Sequence, residues 1–401
     1  MNVLLCAIGT RGDVQPILAL AVELKSRGHQ ARLCVAPDYK EWVESFGVDC
    51  SSIWPDTQVT SKRAMELSVE QLGQLAAQSV HFEFPAVTKA ACGCDVIIAG
   101  GPQLATRSVA EALEIPYVFA AYCPAVLPSR DHPPPLIGAR HHPQLLPANG
   151  SGTLWEEDEQ TWNGLFSAVV NEERARAGLP PIESVQRHMF TDNPWLAADA
   201  DLAPAAPSAK MHIFQTGAWL LINPEPLPEY VDDFLADGEP PVYFGFGSMP
   251  ALEDTSQGMI EAARALGLRS IVARGQGGLR PIDADSDCLF IGDTAHERLL
   301  PRVAAIVHHG GAGTTTAAAM AGKPQLIVPH MYDQYYWAHR VEQLGIGIAG
   351  PSRKELSGPS ITAALQECMG EGITLRAETL ATRVRRHGAQ LAVERLTEEF
   401  G

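Results

Sequence analysis

The stretch Val307-His308-His309-Gly310-Gly311-Ala312-Gly313-Thr314-Thr315-Thr316 constrains this chain more than any other. An apolar run, Val303 to Val307, precedes it and reads as a buried strand. Thr316 to Ala321 follows as a run of good helix formers, stopped by Gly322 and Pro324, and Gln325 to Pro329 reads as the next strand. A glycine-rich turn thus joins a strand to a helix N-terminus inside a parallel unit. Its glycines let the backbone come close to a ligand. The first helical N–H groups have no partner within the helix, and the helix dipole puts partial positive charge there. That combination is an anion site, most often for phosphate. His309 and the hydroxyls of Thr314 to Thr316 add donors. The bland alternative is a tight turn without a ligand.

The pattern narrows the phosphate chemistry. A P-loop needs Gly-x-x-x-x-Gly-Lys-Ser/Thr, and no lysine follows these glycines. A dinucleotide fingerprint needs Gly-x-Gly-x-x-Gly; Gly311-Ala312-Gly313 begins one, but Thr316 stands where the third glycine belongs. Asp333 lies about twenty residues on, where the ribose-binding acid of that fingerprint would fall. A nicotinamide oxidoreductase is therefore a competing expectation.

The chain has 401 residues, which argues for two domains, or three. A hydrophobic share of 46% is ample for full cores. With 47 acidic against 30 basic residues the net charge is −17, which speaks against a nucleic-acid surface and against attraction to anionic membranes. The eight cysteines form no Cys-x-x-Cys pair; several lie in apolar runs, where cysteine acts as a small hydrophobe, and Cys92 and Cys94 lack a partner pair for a metal. Met1 to Ile8 is too short for a signal-peptide core, lacks a basic lead-in, and no run approaches a membrane span. A cytoplasmic protein is expected.

Taken in order, Asn2 to Ile8 reads as a strand, Gly9 to Asp13 as a turn, Gln15 to Arg27 as a helix with Ile17, Leu20, Ala21 and Leu24 on one face, and Gln30 to Val35 as a second strand. This βαβ opening announces a doubly wound parallel sheet. Val96 to Ala99 and Tyr117 to Ala120 are further strands around a helix at 105–113. Two stretches break the rhythm. Residues 53–84 begin polar and become weakly helical, and residues 124–150 carry seven prolines. Long irregular insertions after strand ends read as acceptor-binding loops, against the alternative of plain surface. His132, His141 and His142 look metal-like, but exposed solvated histidines are the expectation. Five prolines between Pro204 and Pro228 mark a domain connection. The pattern then restarts with Pro241 to Met249 as strand and glycine turn, a helix at 262–266, strands at 270–274 and 288–291, a helix at 336–344, and a final helix over 374–400.

The motifs Gly9-Thr10-Arg11-Gly12-Asp13-Val14-Gln15-Pro16, Gly245-Phe246-Gly247-Ser248, His308 to Thr316 and His330 to Gln334 together closely resemble inverting glycosyltransferases of the two-Rossmann (GT-B) type. The nearest resemblance is to the vancomycin-group glycopeptide glycosyltransferases, and it spans nearly the whole chain. The fold class it implies is α/β, with two Rossmann-like domains whose parallel sheets face a central cleft. The expected division is 1–205 for the acceptor, 206–228 as linker, 229–380 for the nucleotide sugar, and a C-terminal helix at 381–401 packing back on the first domain.

The resemblance also implies roles. Ser248, His309, Gly311, Gly313, Thr314 and Thr315 match a diphosphate cradle, with Thr10 touching the same group; Arg11 is open to that role or to a surface one. Asp333 and Gln334 match the pair that hydrogen-bonds the sugar hydroxyls. Asp13 matches the general base, with helix N-cap as the alternative reading, since aspartate is favoured there. Asp333 is the next candidate for that proton transfer. Backbone groups at 292–295, with Arg274, Gln276, Thr294 and His296, fall where the family holds nucleobase and ribose. Relatives often carry Arg-Gly-Trp where this chain has Arg274-Gly275-Gln276, and glutamine cannot stack as an indole does. What the resemblance implies for the base stays open between thymine and uracil.

No Asp-x-Asp accompanies these residues, so no metal and no cofactor is implied beyond the nucleotide sugar as co-substrate. The partners expected are a dTDP- or UDP-sugar donor and a hydrophobic or peptidic aglycone. No nucleic acid and no membrane span is expected, and the protein is expected to be a monomer or weak dimer. The alternatives are a sterol or lipid glucosyltransferase of the same fold, or a non-catalytic nucleotide-sugar-binding helper, which would need no base at position 13.

Overall fold

The computed structural model of the chain describes residues 1–53, 69–135, 151–208, 210–223, 225–249, 255–275, 279, 281, 283, 285–351 and 355–401. They form two compact units, Met1–Leu221 with Arg385–Gly401, and Ile222–Val384.

The first unit is built on seven parallel strands: β1 (Asn2–Ala7), β2 (Gln30–Val35), β3 (Asp49–Ser52), β4 (Val96–Gly100), β5 (Tyr117–Ala121), β6 (Trp195–Leu196) and β7 (Phe214–Gln215), in the order β3-β2-β1-β4-β5-β6-β7. Crossover connections cover both faces of such a sheet, which is why its central strands read as unbroken apolar runs. The helix Arg11–Ser26 begins at the C-terminal end of β1 and buries Val14, Ile17, Leu18, Leu20, Ala21 and Leu24. Strand order reverses between β1 and β4, and ligands of open α/β sheets bind at the carboxyl ends beside such a reversal.

The helix Ser151–Arg176, which the sequence reading passed over, packs on the helix Val69–Ala90 and buries Trp155, Trp162, Phe166, Val169 and Val170. Those positions were a helical-spacing signal diluted by the acidic residues between them. Trp155 also overturns the expectation of a solvated His132. Its ring stacks edge-on with the imidazole at 6.1 Å, its Nε1 donates to the His132 carbonyl at 3.0 Å, and His132 is buried. His141 and His142 lie outside the described residues, as do 54–68 and 136–150 of the two irregular stretches.

The second unit holds six parallel strands: β8 (Val242–Gly245), β9 (Ser270–Ala273), β10 (Cys288–Ile291), β11 (Ala305–His308), β12 (Gln325–Ile327) and β13 (Gly347–Ala349), ordered β10-β9-β8-β11-β12-β13. The reversal lies between β8 and β11. Two apolar clusters, one around Phe244, Val272 and Val307, the other around Tyr243, Ile271 and Ile306, sandwich the sheet. No described helix is long and apolar enough to cross a membrane.

The expected single helix over 374–400 is two, Glu371–Ala381 and Gly388–Phe400. The break has a tertiary cause. Asp199, fully buried, accepts from the N–H of Arg385 at 2.9 Å, and a Cβ on Gly388 would stand 2.4 Å from the Gly217 carbonyl oxygen. These contacts turn the chain so that Ala392, Val393 and Leu396 join the core of the first unit. Within residues 206–228, Phe214–Gln215 is a strand of the first sheet and Trp219 is buried in the same core.

Candidate functional site

Two groups of residues stand at strand ends beside the two reversals, one in each unit. In the second unit β11 delivers His309, Gly310 and Gly311 to the start of the helix Ala312–Met320. The N–H of Thr315 bonds back to the Gly311 carbonyl at 2.9 Å, but those of Ala312, Gly313 and Thr314 find no acceptor among the described residues. A Cβ on Gly313 would meet nothing within 4 Å, so no neighbouring protein atom explains the glycine there. The open side of the turn presents three unpartnered donors at the positive end of a helix.

His309 stands beside them, its ring held between two glycines. A Cβ on Gly247 (φ +56°) would lie 3.2 Å from its Cε1, and one on Gly311 would lie 2.7 Å from its Nε2. Gly247 follows β8, so the ring spans the reversal. Burial pushes its pKa down to about 4, with the backbone of Gly245 opposing in part. The imidazole is therefore neutral near pH 7 and acts as a hydrogen-bonding group rather than a cation. Ser248, half-buried after the same strand, carries a hydroxyl with no partner among the described residues.

Two expected donors are placed differently. The Thr315 hydroxyl points into its own helix, donating to the Gly311 carbonyl at 2.9 Å, and the residue is fully buried. Gln334 is buried too: its Oε1 accepts from the N–H groups of His330 (2.8 Å) and Met331 (3.1 Å), and its amide nitrogen faces the Met249 sulfur at 3.4 Å. Its side chain clamps the turn after β12 instead of facing outward. That turn also holds Tyr332 in the left-handed region at φ +53°, a strained conformation of the kind that collects at functional sites. Asp333 opens the helix Gln334–Gln343, and its Oδ2 accepts from the Trp337 indole at 3.1 Å.

Around the ends of β9 and β10, the Thr294 hydroxyl donates to the Gly292 carbonyl at 3.1 Å. His296 Nε2 lies 3.1 Å from the Tyr243 hydroxyl. Arg274 is exposed, and its N–H donates to Ile291 at 3.0 Å. Gln276 lies outside the described residues.

In the first unit Asp13 is not the helix N-cap. Thr10 is, and Asp13 sits three residues further in, where its Oδ2 accepts from the Thr10 N–H at 2.7 Å and the Thr10 hydroxyl at 3.3 Å. This is the capping-box arrangement, and it fixes the carboxylate rotamer. Gly9 is required by the same contact: at φ +135° its Cβ would fall 2.2 Å from Asp13 Oδ2. Across the reversal a Cβ on Gly101, after β4, would stand 3.6 Å from the other oxygen, Oδ1, so that oxygen faces the crevice between β1 and β4. Loss of hydration pushes the Asp13 pKa up to about 6, against the downward pull of the Thr10 donors. A carboxylate so tuned is ionised at neutral pH, yet basic enough to take a proton.

The sequence reading missed Tyr122. Its phenol oxygen is buried over Gly100, where a Cβ would clash at 1.9 Å, and has no hydrogen-bond partner among the described residues; burial, and after it the charge of Asp13, raises its pKa. Its signal was a tyrosine directly after a strand end next to Gly100-Gly101. Among the described residues no group of three His, Cys, Asp or Glu side chains is arranged to hold a metal ion.

The sequence of the chain finds relatives throughout its length. Residues 3–129 match the glycosyltransferase family 28 N-terminal domain, and residues 292–390 match the erythromycin biosynthesis protein CIII-like C-terminal domain. Glycosyltransferase GtfE of Amycolatopsis orientalis is 39% identical, covering 100% of this chain and 98% of its own. The vancomycin aglycone glucosyltransferase of the same organism is 38% identical over 99% of this chain and 97% of its own. Among solved structures, glycosyltransferase VinC in complex with dTDP superposes with a TM-score of 0.70 at 17% identity, covering 99% of both chains.

Proposed function

Because the chain belongs to the vancomycin-group glycopeptide glycosyltransferases, we propose that it moves a sugar from a nucleoside diphosphate sugar to a hydroxyl of a bulky natural-product aglycone of the glycopeptide class, with inversion at the anomeric carbon. The observation that carries this reading is the trio of unpartnered N–H groups, Ala312, Gly313 and Thr314, beside neutral His309. As the bond from the anomeric carbon to the phosphate oxygen breaks, negative charge gathers on the leaving diphosphate. Fixed N–H dipoles at a helix start are suited to receive it. His309, Ser248, the Thr314 hydroxyl, Gly311 and Gly313 complete this cradle, and Thr315 contributes by locking the first helical turn.

On the acceptor side, Asp13 takes the proton of the acceptor hydroxyl while that oxygen attacks the anomeric carbon opposite the leaving group. Asp333 hydrogen-bonds the sugar hydroxyls, and Gln334 shapes the turn that presents it. Thr294, His296, Arg274 and Gln276 serve the ribose and the base, thymine or uracil. The first unit, Met1–Leu221 with Arg385–Gly401, serves as the acceptor domain and the second, Ile222–Val384, as the donor domain. No metal and no cofactor takes part, and the protein works in the cytoplasm as a monomer or weak dimer.

Calorimetry with dTDP, UDP, GDP, NAD and S-adenosylmethionine tests the donor class. Mass spectrometry of glycopeptide aglycones incubated with dTDP- or UDP-glucose tests transfer, and the anomeric proton coupling of the product tests inversion. Binding of dTDP or UDP with a hexose gain on the aglycone is expected. Binding of NAD or S-adenosylmethionine alone would overturn the reading.

A further inference from the structure

His308, the last residue of β11, is fully buried, and nothing in the proposed transfer uses it. A polar ring in a central strand is costly unless both of its nitrogens are satisfied. Both are. The N–H of Gly310 lies 3.1 Å from Nδ1, and Nε2 lies 3.0 Å from Oε1 of Gln325. A backbone N–H can only donate, so Nδ1 carries a lone pair and the ring proton sits on Nε2, aimed at Gln325. Gln325 is on the neighbouring strand: Ile306 pairs with Gln325 and His308 with Ile327, so the two side chains are diagonal neighbours on one face. Among the described residues the buried amide nitrogen of Gln325 has no hydrogen bond, and its oxygen faces the ring.

The other end of this relay is the turn itself. Gly310 is left-handed at φ +90°, and a Cβ there would lie 2.7 Å from Ile327 Cγ2 and 3.1 Å from the Gln334 carbonyl oxygen. Its N–H points inward to His308, the acceptor that holds it there. With Gly310 turned in, Gly311 starts the helix and the next three N–H groups face outward. Burial, aided by His309, pushes the His308 pKa down to about 3, so the lone pair persists across any working pH.

We infer that His308 is the positioning residue of the phosphate-accepting turn: as the Nε2–H tautomer it holds the Gly310 N–H at Nδ1 and thereby aims His309 and the free helix N–H groups at the donor diphosphate. The inference rests on the proposed donor site and is separable from it by experiment. His308→Asn places an amide oxygen where Nδ1 was and keeps the acceptor for Gly310. His308→Gln reaches Gln325 but not Gly310, and His308→Leu reaches neither. Calorimetry with dTDP and UDP should show His308→Gln and His308→Leu weakened about tenfold or more, and His308→Asn within about threefold of wild type. A residue that merely filled the core would instead order the variants by thermal stability. Equal binding by wild type and His308→Gln, or no advantage of His308→Asn over His308→Leu at matched Tm, would overturn the inference. If the wild type binds no nucleotide, the donor reading fails instead. Should the variants not fold, histidine 15N NMR of the wild-type protein decides the hydrogen-bond pattern alone. An Nε2–H ring unchanged from pH 5 to 8 is expected, and an Nδ1–H ring or one that titrates overturns the inference.

Discussion

Thr10 turns two donors on one oxygen of Asp13: its N–H lies 2.7 Å and its hydroxyl 3.3 Å from Oδ2. The other oxygen, Oδ1, is left facing Gly101 across the β1–β4 crevice. One carboxylate thus closes a helix start with one atom and turns the second to the crevice. Two measurements follow from its pKa.

The first is the pH profile. A general base must be ionised, and Asp13 titrates at about 6. We expect kcat/KM to be level above that pH and to fall about tenfold per unit below it. Asp13→Asn should lower kcat by about 10²–10⁴-fold while leaving nucleotide affinity unchanged. A variant that keeps more than about a tenth of wild-type kcat would shift the proton transfer to Asp333.

The second is stability. The folded chain holds the Asp13 proton more tightly than the unfolded chain, since the pKa rises from 3.8 to about 6. This contribution to stability is fully present below about pH 4 and is lost as pH rises through about 6. Urea midpoints of wild type and Asp13→Asn should therefore shift in favour of the variant between pH 4 and 7.5. Parallel midpoints across that window would show that the carboxylate is not desolvated.

Gly9→Ala tests the seat of the carboxylate. The added Cβ would stand 2.2 Å from Asp13 Oδ2 at a φ of +135°. We expect a loss of about 1–3 kcal/mol in stability and a kcat loss approaching that of Asp13→Asn, with unchanged dTDP or UDP affinity. Wild-type kcat in Gly9→Ala would mean that the position of the carboxylate is immaterial.

His309→Ala should weaken nucleotide binding by about 1.5–3 kcal/mol if the ring donates to a diphosphate. It should also change acid behaviour in a definite direction. The folded pKa of His309 is pushed down to about 4 from 6.5, so unfolding takes up this proton and stability is lost as pH falls between those values. Wild type should lose more stability than His309→Ala over that interval, by chemical denaturation. Unchanged nucleotide affinity in the variant would remove His309 from the cradle.

EDTA should leave turnover intact, because the groups beside the leaving diphosphate are N–H donors and a neutral imidazole rather than paired carboxylates. An activity lost in EDTA and restored by magnesium or manganese would refute this.

Much of the fold was legible because it is local. Gln30 to Val35 and Cys288 to Ile291 are strands over the spans their apolar runs announce. The glycines after β1, β8 and β11 mark the turns where the backbone must be left-handed or closely approached, as at Gly9, Gly247 and Gly310. What failed was non-local. The helix over 374–400 has a continuous apolar pattern, and the contacts at its break, of buried Asp199 with Arg385 and of Gly217 with Gly388, come from remote sequence. His132 reads as a loop histidine until Trp155, from a helix further along the chain, covers it.

By itself the sequence determined which residue types stand at the strand ends: an aspartate after β1, a histidine and three glycines after β11, an Asp-Gln pair after β12. Strand periodicity and glycine placement are properties of neighbours in the chain. Tertiary structure alone decided what each of those groups is free to do. Gln334 spends its oxygen on nearby backbone and its nitrogen on the Met249 sulfur, and Thr315 its hydroxyl on the Gly311 carbonyl, while the N–H groups of Ala312, Gly313 and Thr314 stay free among the described residues. Gln325, on the neighbouring strand, meets the proton that the Gly310 N–H confines to Nε2 of His308. The hydration Asp13 loses, and hence its basicity, depends on the packing around the β1–β4 crevice, where Gly101 from a distant strand faces it. Protonation and hydrogen-bond commitment depend on burial and on partners brought in from remote sequence, and folding is what supplies both.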